Sequence, residues 1–121
     1  MKHFSRSERV GGQIQKILSE ILQRDIHDPR LALTTITGVK MSRDLRLARI
    51  YFATAGDKHR KAAADLGFQS AAGFVKRTLA ARLGLRYMPD LVFSYDESFD
   101  YGARIDNLLR AIDTDDGADH P

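Results

Sequence analysis

Lys76, Arg77 and Arg82 follow Gly73 inside the stretch SAAGFVKRTLAARLGL, residues 70–85, and Arg86 comes directly after it. Arginine offers phosphate a planar fork of donors and lysine a compact point charge. Backbone N–H groups freed at a helix start add to such a site. Alanine, leucine, arginine and lysine on both flanks favour helix, whereas glycine costs about 1 kcal/mol relative to alanine in a helix interior and readily permits a kink. The spacing therefore predicts a helix that breaks at Ala71-Ala72-Gly73 and then presents cations, a seat for a nucleic-acid backbone. Arg43 and Arg46, with Arg49, stand at and beyond a turn, and Lys58, Arg60 and Lys61 stand in a helix's first turn. The dipole there makes cations slightly unfavourable, a cost that a phosphate partner could offset. Singly, each of these residues reads equally well as a solvated surface charge; as a set they favour RNA or DNA. The candidate RNA-binding residues are thus Arg43, Arg46, Lys58, Arg60, Lys61, Gly73, Lys76, Arg77, Arg82 and Arg86.

Catalysis is poorly supported. His3, His27, His59 and His120 are scattered without carboxylate or histidine partners at metal-ligand spacing, and there is no cysteine to act as nucleophile, thiolate ligand or disulfide. Asp113, Asp115, Asp116 and Gly117 faintly resemble a calcium loop, but the glycine falls one position early and no closing glutamate follows. No glycine-rich phosphate loop of either common form is present. The expectation is no enzyme, no metal and no cofactor.

Charge points the same way. Residues 1–90 carry 17 Lys and Arg against 8 Asp and Glu, a balance of +9, whereas residues 91–121 carry 2 against 8, a balance of −6. A basic body with an acidic end favours an anionic partner such as nucleic acid or an acidic membrane surface. At 121 residues, with 43% hydrophobic residues, one core is expected. With no membrane-length apolar run and no signal-peptide pattern, a cytoplasmic chain, monomeric when free, is expected.

The elements that must position the cations can be read in order. Ser5 and Glu8 have capping-box spacing, and Val10, Ile14, Ile17, Leu18, Ile21 and Leu22 make the apolar stripe of a first helix ending at Asp28-Pro29. Gly11-Gly12 within it reads as close packing, a frayed start or close approach to a partner. Residues 31–42 suit a strand in which Leu33, Thr35, Thr37, Val39 and Met41 alternate and Gly38 marks a bulge. Ser42–Leu45 turns the chain into a second strand, with Ala48, Ile50 and Phe52 on one face and Leu47, Arg49 and Tyr51 on the other, an antiparallel hairpin. Asp57 is a good N-cap for the next helix, and beyond Gly73 the helix resumes with Phe74, Val75, Leu79 and Leu83 as apolar contacts, stopping near Gly84. LVFSY, residues 91–95, reads as a buried strand, and a last helix follows with Tyr101, Ile105, Leu108, Leu109 and Ile112 on one side. Residues 1–112 are read as one domain and 113–121 as a disordered acidic tail.

This order, α-β-β-α-kink-α-β plus a C-terminal helix, resembles the type II KH fold, an α+β nucleic-acid-binding architecture. Where such a domain carries a GxxG loop, Ala71-Ala72-Gly73 forms an A-x-G kink similar to that of the ribosome-binding factor A family. SERVGGQIQKILSEILQRDIHDPR, SRDLRLARIYF and the run from Ser70 to Leu109 look like the same family, and together these stretches cover most of residues 7–112. The resemblance implies a non-enzymatic factor that binds the immature 30S small ribosomal subunit and its 16S rRNA. It further implies a role in late maturation and 5′-end processing, an association with growth in the cold, and work alongside other assembly factors. Without GxxG, recognition of RNA shape and phosphate is expected over sequence reading of single strands. A rival from another class is a protein–protein adapter acting through the first or last amphipathic helix.

Overall fold

The hydroxyl of Ser5 accepts a hydrogen bond from the Glu8 backbone N–H at 3.2 Å and donates to the Glu8 carboxylate at 3.1 Å, which starts the first helix, α1, over Arg6–Arg24. The computed structural model describes residues 5–56, 58–98 and Leu108. In α1 the expected stripe is buried: Val10, Ile14, Ile17, Leu18 and Ile21, with Leu22 packed against them. Gly11 is buried with them, because an added Cβ would stand 3.1 Å from the Val39 carbonyl oxygen; Gly12 faces open space. Of the readings for this pair, close packing accounts for Gly11.

The helix ends at Asp25, earlier than the proline suggested, and the chain turns through a single 3₁₀ turn, Pro29–Leu31. Asp28 caps that turn. Its carboxylate accepts the Arg30 backbone N–H at 2.9 Å and receives the Arg30 guanidinium through both oxygens, the shortest contact being 2.6 Å. The first strand, β1, consequently runs over Thr34–Met41, not from Leu31, and β2 over Leu47–Thr54. They pair antiparallel as expected, and the register slips between Ile36 and Gly38, so Thr37 is the extra residue of a bulge. The bulge reverses the alternation: Ile36 faces the core before it, Met41 after it, and Thr35 lies exposed, contrary to the regular pattern read from the sequence. On β2 the expected face is correct, with Ala48, Ile50 and Phe52 fully buried.

The second helix, α2, spans Lys58–Leu83 without interruption. This corrects the expectation of two helices divided at Ala71-Ala72-Gly73: all three residues lie inside one helix, which any bend must leave continuous. Its buried stripe, Ala64, Gly67, Phe68, Val75 and Leu79, continues on both sides of Gly73, and that shared burial outweighs the helix-weakening glycine. Phe74, expected as an apolar contact, points away and is 39% exposed. The helix stops where Gly84 adopts φ +63°, a left-handed conformation glycine enters without steric cost, and Arg86 therefore does not lie four along the same helix from Arg82.

The third strand, β3, spans Asp90–Tyr95 and pairs parallel to β2, giving a sheet ordered β1-β2-β3. It is an edge strand, half-buried where a buried strand was expected, with Val92 exposed. α1 and α2 pack on one face of this α+β sheet, whose core is knitted by aromatic rings: Phe52 lies 4.9 Å from Phe68, and Phe68 stacks on Phe93 at 4.4 Å. The expected cap Asp57, the tail, and every apolar position of the last helix except Leu108 lie outside the described residues.

Candidate nucleic-acid interface

α2 sets the spacing of most candidate cations. At 1.5 Å per residue, Lys58 and Arg82 stand roughly 36 Å apart along its axis, so the ten residues named from the sequence form several groups and not one site.

The first group lies at the start of α2. Lys58 is exposed. Arg60 lays its side chain over Gly56, whose added Cβ would meet the Arg60 Cγ at 2.6 Å. Lys61 bonds Glu97 at 2.9 Å and sits 4.4 Å from the centroid of the Tyr95 ring. Arg60 and Lys61 are thus held against the protein, the latter pinning the segment after β3 to α2.

A second group occupies the middle of the helix. Gly73 is exposed, and an added Cβ would meet only the mobile tip of Arg77, 3.3 Å away, so packing within the chain does not require a glycine there. Arg77 has no carboxylate partner among the described residues, and Lys76 reaches Asp90 only at 3.9 Å. Gly73, Lys76 and Arg77 together give a small exposed notch flanked by two cations. Ala71 and Ala72 lie half-buried to either side of this exposed strip, Ala71 against the core and Ala72 beside Phe93. Arg82 differs from its neighbours: its guanidinium bonds Glu20 of α1 at 2.9 Å. That hydrogen bond, ahead of the attraction of Arg82 and Arg24, holds the Glu20 carboxyl below its ordinary value against the opposing effect of desolvation. The pair ties α2 to α1, which gives Arg82 a structural task.

The third group gathers at the far end, where the hairpin turn meets the segment after α2. The turn is built by its own polar groups: Asp44 accepts from the Ser42 hydroxyl at 2.6 Å and from the Arg46 backbone N–H at 3.1 Å, and these bonds hold its carboxyl below the usual range. Leu45 takes φ +61° to close the turn, a conformation costly for a branched residue, while its side chain packs on the core. The Asp90 backbone N–H bonds the Arg46 carbonyl oxygen at 2.8 Å, which fixes the turn to the start of β3. Arg46 and Arg86 thereby line one cleft, and Arg43 lines the adjacent one, with Arg6 of α1 common to both. Arg49 stands apart on the open face of the sheet, donating to the Ser94 hydroxyl at 3.3 Å.

Sequence reasoning missed Arg6 and Tyr87, which line the same cleft as Arg46 and Arg86, and Glu20, the partner of Arg82. Arg6 lies 40 residues from Arg46 and 80 from Arg86, its companions in the cleft, and its single signal is a cation beside the helix cap. Glu20 became visible only once two helices were laid side by side.

Among the described residues no helix is long and apolar enough to cross a membrane, and no group of three or more His, Cys, Asp or Glu could hold a metal ion. A family model described as ribosome-binding factor A matches residues 6–109. The chain is 50% identical over 121 residues to ribosome-binding factor A of Desulfatibacillum aliphaticivorans, covering all of this chain and 98% of that one. Among solved structures, a Thermotoga maritima protein determined in solution matches with a TM-score of 0.70 and 30% identity, over 80% of this chain and 92% of that one. The Thermus thermophilus ribosome-binding factor A homology model fitted into a map of a 30S complex matches with a TM-score of 0.63 and 25% identity, over 75% of this chain and 96% of that one. The chain belongs to the ribosome-binding factor A family.

Proposed function

We propose that this chain binds the immature 30S ribosomal subunit through its 16S rRNA and supports late maturation and 5′-end processing without catalysing a reaction. In this reading it works in the cytoplasm as a monomer, beside other assembly factors, within residues 1–112 of the chain as a single KH-like domain. The observation that carries the reading is the likeness over 75% of the chain to a relative fitted into a 30S complex. The surface supports it, because Lys76 and Arg77 flank an exposed glycine that the fold does not need, and Arg46 and Arg86 line one cleft with Arg43 in the adjacent one, none of the three in a salt bridge among the described residues. Phosphate contacts of this kind position a protein on RNA shape without reading its sequence.

Reversing Lys76 and Arg77 to glutamate is expected to weaken sedimentation with small-subunit precursor particles by at least tenfold at physiological salt, and to flatten the dependence of affinity on salt by about one unit per lost phosphate contact. Arg82→Glu is expected to act mainly on stability, through Glu20. Undiminished particle binding by the Lys76/Arg77 double reversal would place the interface elsewhere.

A further inference from the structure

Tyr87 is 75% exposed at the mouth of the cleft between the hairpin turn and the segment after α2. The Arg86 guanidinium stands 5.5 Å from its ring centroid. The floor beside it is apolar, made by Leu45, Leu85 and Met88, which are half-buried against the core. Arg6, Arg46 and Arg86 reach the rim from three chain segments, and among the described residues none forms a salt bridge, although the charge of Arg46 acts on the nearby Asp44 carboxylate. Two acids also line the cleft, but Asp44 is engaged by Ser42 and the Arg46 backbone, and Asp90 has Lys76 at 3.9 Å.

Folding explains little of this arrangement. Arg86 lies just beyond the C-terminus of α2, where the helix dipole favours a cation, so one arginine has a structural reason. Arg6 opens α1, where the dipole disfavours one, and Arg46 lies outside any helix. Three cations outnumber the two acids of this cleft, and beside them an apolar floor and an unburied ring leave room for an anion with a flat face.

We propose that this cleft seats an unpaired nucleotide of single-stranded RNA, its base stacked on Tyr87 over the apolar floor and its flanking phosphates on Arg46, Arg86 and Arg6. The proposal rests on the RNA-binding reading above and deepens it: the chain carries no GxxG clamp, and the stacking platform is Tyr87, in the segment between α2 and β3. A base inside a duplex is covered on both faces by its neighbours and has no ring face to offer, so the cleft selects unpaired RNA.

The test uses the full chain with a short unstructured oligoribonucleotide and a blunt RNA duplex, titrated by fluorescence anisotropy. Tyr87→Ala is expected to weaken single-strand binding about 5- to 150-fold, the loss that removal of one stacking ring gives, with Tyr87→Phe close to wild type. Duplex binding is expected to be the same for all three proteins. Arg46→Gln and Arg86→Gln should each lower the single-strand salt slope by about 0.7. The cleft assignment is overturned by equal single-strand affinity in wild type and Tyr87→Ala, by equal losses on single strand and duplex, or by no single-strand binding in the wild type. Particle binding judges the other reading separately: a wild type that ignores 30S precursors but grips single strands through Tyr87 removes the proposed function and leaves the cleft.

Discussion

Two glycines of α2 separate packing from function. Gly67 is buried, and a Cβ there would stand 2.8 Å from Leu31 Cγ and 3.0 Å from Leu31 Cδ2, while Leu31 is itself buried and unable to swing aside freely. Gly67→Ala should therefore lose stability, because overpacking of about 1–3 kcal/mol exceeds the roughly 1 kcal/mol gained in helix propensity. Gly73 meets only the end of Arg77. Gly73→Ala should raise the free protein's stability by about 0.5–1 kcal/mol, read from urea unfolding. If RNA approaches the backbone at this notch, the same variant should bind 30S precursors more weakly; stabilisation without any loss of binding would remove Gly73 from the interface. In the sequence both residues are glycines in a helical run, and only Gly73 precedes a burst of cations. What distinguishes Gly67 is Leu31, thirty-six positions earlier, a partner that no local pattern discloses.

At the scale of elements, legibility followed how locally each is determined. The stripe of α1 and the alternation of β2 repeat within single elements, and both were read correctly. In β1 the sequence marks the bulge at Gly38 but not its effect on the alternation, since the reversal from Ile36 to Met41 follows from pairing with β2. Propensity weighs each residue alone and so predicts a divided α2, whereas burial along one face at Ala71, Val75 and Leu79 keeps the helix intact through Gly73. The tie between α1 and α2 yields a pH prediction. Glu20 has a folded pKa below its ordinary 4.5, so its contribution to stability is complete above that pH and is lost as the pH falls through the lower folded value. Arg82→Gln should accordingly melt lower than wild type at neutral pH, with the gap closing below about pH 4.5 as Glu20 protonates in both proteins. A gap that persists undiminished in acid would mean that Arg82 acts through its aliphatic packing and not its charge.

For the whole molecule, the division of charge sets how it meets RNA. The four aspartates of residues 113–121 offset part of the basic body, and removing that segment takes the formal net charge from +3 to +7. If the acidic end acts through the long-range field, its loss should speed association with 30S precursors at low salt. The gain should fade near physiological ionic strength, where charges more than about 8 Å apart are screened. If Arg43, Arg46, Arg77 and Arg86 contact phosphate as proposed, they behave differently, since each neutralised phosphate releases a counterion whatever the distance to the tail. With about four such contacts the affinity of the intact chain should fall with salt at a slope near −3 to −4, and truncation should leave that slope unchanged. Stopped-flow association and equilibrium titration across a salt series measure the two quantities apart. A truncation that raises affinity equally at every salt and steepens the slope would show the aspartates occupying the basic clefts directly, so that RNA must displace them before it can bind.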